Sequence, residues 1–164
     1  MAIKKILITG NHAVGKTSLL NRFIHDTFSE RPPVNIGLGV ARKEIEVQEG
    51  PLVLVLWDLV GELSGGKVPR TYLLGASAAV YVFDLSRPDS RNSMEADLAV
   101  IRRMLPGCLV RVVGNKKDLL NQAELQALAG ETPDRRYASA KTGENVEDIF
   151  LGIGRELLGA RQEE

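Results

Sequence analysis

The sequence predicts an α/β fold with a six-stranded, mostly parallel sheet and helices on both faces. Short apolar runs alternate along the chain with segments whose apolar residues repeat at helical spacing. The runs at residues 52–57 and 78–83 are apolar at every position, which is typical of strands covered on both faces. Since such sheets bind ligands at the carboxyl ends of their strands, polar residues that follow these runs are the first candidates for function.

The first third of the chain contains the one expected antiparallel pair. Residues 3–18 indicate a buried strand, a glycine-bounded loop and a helix that continues to about residue 25. Residues 28–37 hold two prolines and no periodicity, which predicts a loop. A half-exposed strand is predicted over 39–47. The short turn at 48–51 then favours antiparallel pairing with the strand that follows it.

The rest of the chain alternates helix and strand. Pro106 and Gly107 end the helix that begins near Met94. The last helix has a strongly apolar face between Val146 and Leu157. The remaining predicted elements are a short helical segment at 69–74, strands at 109–113 and 136–138, and a helix near 122–129.

Composition limits the classes of function. At 164 residues the chain is expected to form a single domain, residues 1–164. Its 21 Lys and Arg balance its 21 Asp and Glu, so no net field favours nucleic acid as a partner. The sequence has no apolar run of about 18 residues, no glycine after Met1 and no cysteine near its end. We therefore expect a monomeric cytoplasmic protein without a lipid anchor of its own.

The loop at residues 10–17 fits the pattern G-x-x-x-x-G-K-[ST]. Such a loop aims successive backbone N–H groups at a phosphate chain, and the dipole of the following helix favours negative charge. Gly10 and Gly15 permit backbone conformations that a Cβ would block. Lys16 can reach the phosphates and the Thr17 hydroxyl can bind Mg²⁺. Taken alone, the pattern could also be a chance match in a βα turn.

Two further candidates follow the second apolar run. Asp58 is expected just past the strand, where its carboxylate could hold Mg²⁺ directly or through water. Gly61 leaves a backbone N–H that can approach a terminal phosphate. An aspartate that only caps the strand end is the structural alternative for Asp58.

The segment Asn115-Lys116-Lys117-Asp118 again follows an apolar strand. A carboxylate can accept hydrogen bonds from both N1–H and the exocyclic amine of guanine, whereas adenine presents an unprotonated N1. Asp118 is therefore the candidate specificity residue. The segment Ala138-Ser139-Ala140-Lys141 follows the last predicted strand and could place a backbone N–H against the guanine O6. Either segment alone would more often be a solvated surface loop.

These motifs come in the order expected of a guanine-nucleotide site, and the chain resembles the Ras-like small GTPases from Ile3 to about Leu158. The resemblance implies a P-loop NTPase fold, GTP or GDP as ligand and Mg²⁺ as cofactor. It implies phosphate contacts from the loop, magnesium ligation by Thr17, Asp58 and a switch residue, and Phe28 packed beside the base and ribose. The implied nucleotide-binding residues are Gly10, Asn11, His12, Ala13, Val14, Gly15, Lys16, Thr17, Ser18, Phe28, Asn35, Gly61, Asn115, Lys116, Asp118, Ser139, Ala140 and Lys141.

The resemblance also implies two switch segments, residues 28–40 and 59–75, which order on the γ-phosphate. Protein effectors, and exchange or activating proteins, would bind at residues 28–47 and 59–75. The exposed strand at 39–47 would be part of that surface.

Three positions depart from the family pattern. Asn35 replaces the switch threonine that ligates Mg²⁺, Glu62 replaces the glutamine that orients water, and His12 occupies a position usually kept small. A carboxylate at Glu62 would be repelled by the γ-phosphate. The implied catalytic set is Lys16, Gly61 and Glu62, so we expect slow hydrolysis without a partner. Arg31 and Arg42 could supply an internal arginine, although both are more simply read as surface charges.

The expected function is a guanine-nucleotide switch that hydrolyses GTP slowly. The alternative is a hydrolysis-deficient pseudo-GTPase that acts as a nucleotide-bound protein-binding module. An ATP-dependent phosphotransferase is disfavoured by Asp118 and by the lack of an arginine-rich lid insertion.

Overall fold

The computed structural model describes residues 1–29, 38–128 and 135–160 of the chain. Within these residues six strands form one sheet in the order β2-β3-β1-β4-β5-β6, and only β2 and β3 pair antiparallel. The strands are β1 Ala2–Gly10, β2 Leu38–Val47, β3 Gly50–Leu59, β4 Ala76–Asp84, β5 Leu109–Asn115 and β6 Arg135–Tyr137. This confirms the predicted α/β class and its single antiparallel pair.

Four α-helices and three 3₁₀ helices connect the strands of the described segments. The α-helices are α1 Lys16–His25, α2 Met94–Met104, α3 Gln122–Ala127 and α4 Val146–Gly159. Asn121 and Glu124 form a reciprocal capping box at the start of α3. The helix ends at Ala127, about two residues before the expected end near residue 129, because the backbone of Leu128 is extended. The helical segment expected at 69–74 is a 3₁₀ turn, Arg70–Tyr72.

The hairpin between β2 and β3 is tighter than the sequence suggested. Val47 pairs with Gly50, so the turn contains only Gln48 and Glu49. Gly50 and Pro51, which were expected in the turn, belong to β3. Pro51 is tolerated there because it lies at the start of the strand.

Alternation along β1 separates two apolar cores. Ile6 and Ile8 face a core shared with α1 and α4, in which the rings of Phe23 and Phe150 stack with centroids 4.2 Å apart. Leu7 faces the opposite core, which includes residues of α2. Helices therefore cover both faces of the sheet, and the strand ends remain open for a ligand.

No helix among the described segments is long and apolar enough to cross a bilayer.

Candidate functional site

A cleft of about 840 Å³ lies at the carboxyl edge of the sheet, where the loops after β1, β3, β5 and β6 meet. Most of the predicted site residues line it: His12, Ala13, Gly15, Lys16, Thr17, Ser18, Phe28, Asp58, Gly61, Glu62, Asn115, Lys116, Asp118, Ala140 and Lys141. Gly10, Asn11, Val14 and Ser139 are not among its lining residues. Asn35 lies outside the described residues.

Close packing against protein groups explains the two invariant glycines of the loop pattern. Gly10 has φ +143°, and a Cβ there would lie 2.1 Å from the carbonyl oxygen of Val82 on β4. Gly15 has φ +93°, and its Cβ would lie 2.4 Å from Nδ2 of Asn115. Both positions combine positive φ with a contact that no side chain can enter, so the loop lies directly against β4 and the end of β5.

Lys16 folds back over the loop that precedes it. Its Nζ donates hydrogen bonds of 2.8 Å to the carbonyl oxygens of both Gly10 and Asn11. Burial lowers the pKa of the Lys16 ammonium, and the nearby Asp58 carboxylate opposes that shift. An ammonium has three donors, so one remains beyond these two bonds for an anionic ligand.

Thr17 and Asp58 meet at the base of the cleft. The Thr17 hydroxyl donates a hydrogen bond of 2.6 Å to Oδ2 of Asp58, and Asp58 is buried. Asp58 was expected just past β3 but lies within it, next to its last residue. A hydroxyl that donates its hydrogen can still bind a cation through its oxygen, and Mg²⁺ prefers such hard oxygen ligands together with phosphate. The pair therefore fits a magnesium ion.

Asn115 connects three loops of the site. Its Nδ2 donates to the carbonyl oxygen of Val14 at 3.1 Å, and its Oδ1 accepts from the backbone N–H of Ala140 at 3.1 Å. Asn115 is buried as the last residue of β5 rather than after it. The hydrogen bond from the N–H of Ala140 joins the loop after β6 to the end of β5.

Lys116 ties the base end of the cleft to the phosphate loop. Its Nζ donates to the carbonyl oxygen of Ala13 at 2.9 Å and pairs with Asp84 at 3.0 Å. Burial raises the pKa of the Asp84 carboxyl, but hydrogen bonds from Ser86 and contact with Lys116 outweigh it and hold that pKa below its usual value. Asp84, at the end of β4, was missed in the sequence because it sits in no recognised motif.

Asp118 is held by the loop after β6. The Ser139 hydroxyl donates to Oδ1 of Asp118 at 2.6 Å, and the same oxygen of Ser139 accepts from the backbone N–H of Thr142 at 3.1 Å. The hydroxyl thus fixes the direction of the carboxylate. Ser139 does not itself line the cleft and acts through its hydrogen bond to Asp118.

Arg22 on α1 anchors the same loop from the other side. Its guanidinium donates to the carbonyl oxygens of Ala140 at 2.8 Å and Lys141 at 2.6 Å, and it pairs with Asp26 at 3.0 Å. An arginine in an amphipathic helix gives no signal of such a role in sequence. The contact spans more than a hundred positions and is visible only in the fold.

Two of the three departures from the family pattern, His12 and Glu62, line the cleft, and the third, Asn35, lies outside the described residues. The side chains of His12 and Glu62 are exposed, and Gly61 and Lys67 also line the cleft. Lys67 was not considered in the sequence. Of the two candidate internal arginines, Arg42 is exposed on β2, and Arg31 lies outside the described residues.

Together, a phosphate loop opening a helix, an adjacent hydroxyl–carboxylate pair and a carboxylate at the far end define a P-loop nucleotide-binding protein. The model of the Ras family matches residues 5–159, so the chain belongs to the Ras family of small GTPases. Its relatives include the Ras-related protein Rab-4B of Rattus norvegicus, Homo sapiens and Mus musculus. Each is 33% identical over 165 residues, a match that covers 94% of this chain and 76% of the relative.

Proposed function

We propose that the chain is a guanine-nucleotide switch that binds GTP or GDP together with Mg²⁺ and hydrolyses GTP slowly when no partner is present. One observation carries the proposal: a single cleft holds the Lys16–Thr17 loop and the Asp118 carboxylate, with Asn115 joining the two ends. The Lys16–Thr17 loop suits the triphosphate of a nucleotide, and the Asp118 carboxylate suits its base. Residues 1–164 act as one domain in this proposal.

Each end of the cleft has a distinct task. Lys16 and the backbone of residues 13–18 bind the phosphates, and Thr17 and Asp58 hold Mg²⁺, which neutralises phosphate charge when bound. Asp118 accepts the two guanine donors, and Lys116, Ala140 and Lys141 line the base side with it. Phe28 packs beside the base from the other wall.

Hydrolysis is slow because the residue beside the terminal phosphate is the acidic Glu62. Glu62 offers only acceptor oxygens as a carboxylate, and its negative charge opposes that of the γ-phosphate. Exposure of its side chain lets water reach it and weakens its hold on a single attacking water. Gly61 supplies a backbone N–H nearby, and Lys16 supplies the positive charge.

Protein partners bind the surface built from residues 28–47 and 59–75. In its described part, Val40 is 55% exposed, Val60 38% and Leu74 57%. Val40 pairs with Trp57 across β2 and β3, and the ring of Trp57 meets that of Tyr72 edge-on. Edge strand β2 is part of this surface. Since residues of the second segment also line the cleft, a change at the phosphate end can alter the partner surface.

The second candidate function is a pseudo-GTPase that holds nucleotide and never cycles, and the acidic Glu62 in the lining of the cleft favours it. Three measurements separate the candidates: the bound nucleotide, the rate of GTP hydrolysis, and partner capture in GDP and in a non-hydrolysable GTP analogue. Nucleotide is first identified on the purified protein, and single-turnover GTP hydrolysis is then followed with and without Mg²⁺. A slow but Mg²⁺-dependent turnover, with partner capture that differs between GDP and a non-hydrolysable GTP analogue, supports the switch. Bound nucleotide with no turnover and identical capture supports the pseudo-GTPase.

A further inference from the structure

Asp97 on α2 is a charged side chain with no exposed surface, and it lies outside every motif described above. One carboxylate oxygen accepts the backbone N–H of Ser64 at 2.8 Å, from a residue 33 positions earlier in the chain. The other lies 3.2 Å from the hydroxyl of Ser93. Burying a carboxylate is costly unless its hydrogen bonds are made, so this placement needs a reason beyond filling space.

The Ser93 hydroxyl extends the contact to the phosphate loop. It lies 2.7 Å from Oδ1 of Asn11, whose amide nitrogen donates to the carbonyl oxygen of Ser90 at 2.9 Å. Since the amide nitrogen of Asn11 bonds to Ser90, the atom that faces Ser93 is the amide oxygen, which can only accept. The single hydrogen of the Ser93 hydroxyl is therefore shared between the oxygens of Asn11 and Asp97.

The two ends of this chain of hydrogen bonds are functional segments. The carbonyl oxygen of Asn11 accepts from Nζ of Lys16 at the phosphate end. Ser64 follows Glu62 by two positions in the segment 59–75. The phenol of Tyr81 lies 3.5 Å from the Ser93 hydroxyl. Burial raises the pKa of this phenol, the hydrogen bond with Ser93 opposes that shift, and the carboxylates of Asp97 and Glu62 add to it. The Asp97 network and Glu62 thus act electrostatically on the same ring.

We propose that Asp97 is a positioning residue: through Ser93 and Asn11 it holds the segment that carries Gly61 and Glu62 in register with the phosphate loop. The proposal rests on the proposed function, because the register matters only if a γ-phosphate is sensed at that loop. Asp97 is not among the residues that line the cleft. It acts by fixing where the Ser64 backbone sits relative to Lys16.

The first test measures amide hydrogen exchange at Ser64, which needs neither turnover nor bound nucleotide. In Asp97→Ala the Ser64 N–H loses its buried acceptor, and its exchange rate rises by about tenfold or more. Asp97→Asn keeps an oxygen for Ser64 and adds an N–H for Ser93, so its exchange rate stays within about threefold of the parent. The matched control is Val100→Ala, which removes packing from the same buried side of α2 and leaves Ser64 protected.

The second test reads the switch segment by the fluorescence of Trp57, the one tryptophan of the sequence. Its ring meets that of Tyr72 edge-on at 5.9 Å, so movement of residues 59–75 changes its emission. In Asp97→Ala the difference in emission between the complexes with GDP and a non-hydrolysable GTP analogue falls at least twofold, while GDP affinity changes by less than about threefold. If Asp97→Ala does not fold, Ser93→Ala breaks the link to Asn11 and is expected to lower the same difference.

Unchanged Ser64 exchange in Asp97→Ala, equal acceleration in Val100→Ala, or an unchanged Trp57 response in Ser93→Ala would each overturn the proposal. Failure of the parent protein to bind guanine nucleotide would instead overturn the proposed function. The Ser64 measurement on nucleotide-free protein would still decide whether Asp97 positions this segment.

Discussion

Asp118→Asn is the substitution that tests base recognition at a single atom. The side chain keeps Oδ1 for the Ser139 hydroxyl, which lies 2.6 Å from it, so the loop after β6 keeps its anchor. An amide nitrogen replaces the carboxylate oxygen that would accept from guanine, so its N–H faces an N–H of the base and no hydrogen bond can form. A hydrogen bond to a charged group contributes about 1.5–3 kcal/mol, so the loss corresponds to a roughly 10- to 150-fold weaker GTP affinity.

Calorimetry with GTP and xanthosine triphosphate measures the effect. Xanthine carries a carbonyl where guanine carries its amine, so the new donor of Asp118→Asn gains a partner and affinity for the xanthine nucleotide rises. Asp148→Asn is the matched control, because it removes the same charge from an exposed position on α4 that does not line the cleft. Equal GTP affinity in the parent and in Asp118→Asn, or no gain for xanthosine triphosphate, would refute the assignment of Asp118.

Three further predictions concern catalysis, packing and pH. Glu62→Gln removes a negative charge beside the γ-phosphate, and single-turnover GTP hydrolysis should rise on the order of fivefold; an unchanged rate would show that this charge is not limiting. Gly10→Ala places a Cβ 2.1 Å from the Val82 carbonyl oxygen and should lower the free energy of unfolding by roughly 3 kcal/mol in urea titrations. Gly152→Ala, in α4 with nothing within 4 Å of its Cβ, should instead raise it by about 0.5–1 kcal/mol. The pKa of Asp84 is lower in the folded protein than its ordinary value of 3.8, so the ionised carboxylate stabilises the fold at pH values above 3.8. That stability is lost as the pH falls through the pKa of the folded state. Asp84→Asn should therefore flatten the stability profile below about pH 4 relative to the parent, and an unchanged profile would contradict this.

Local pattern was enough to predict most of the fold. The all-apolar runs predicted β3 and β4 because a strand covered on both faces has no polar side to show. Apolar residues at helical spacing predicted α1, α2 and α4, because each of these helices buries one apolar face against the sheet. Two strand ends were predicted too early, because Asp58 and Asn115 continue the backbone pairing of their strands although their side chains are polar.

The supporting contacts of the site could not be predicted in the same way. Arg22 and Asp97 lie in ordinary helical patterns, and their partners Ala140 and Ser64 are close only after the chain has folded. Asp84 is similar, because its ion pair with Lys116 joins the ends of two neighbouring strands. Sequence motifs identify residues that contact a ligand, whereas Arg22, Asp97 and Asp84 contact the loops that carry those residues.

Calorimetric titration of the nucleotide-free protein with GTP and with ATP, in the presence of Mg²⁺, tests most directly whether the cleft binds a guanine nucleotide. We predict that GTP binds at least a hundredfold more tightly than ATP, since only guanine presents two donors to Asp118. Equal affinity for the two nucleotides, or no binding of either, would contradict it.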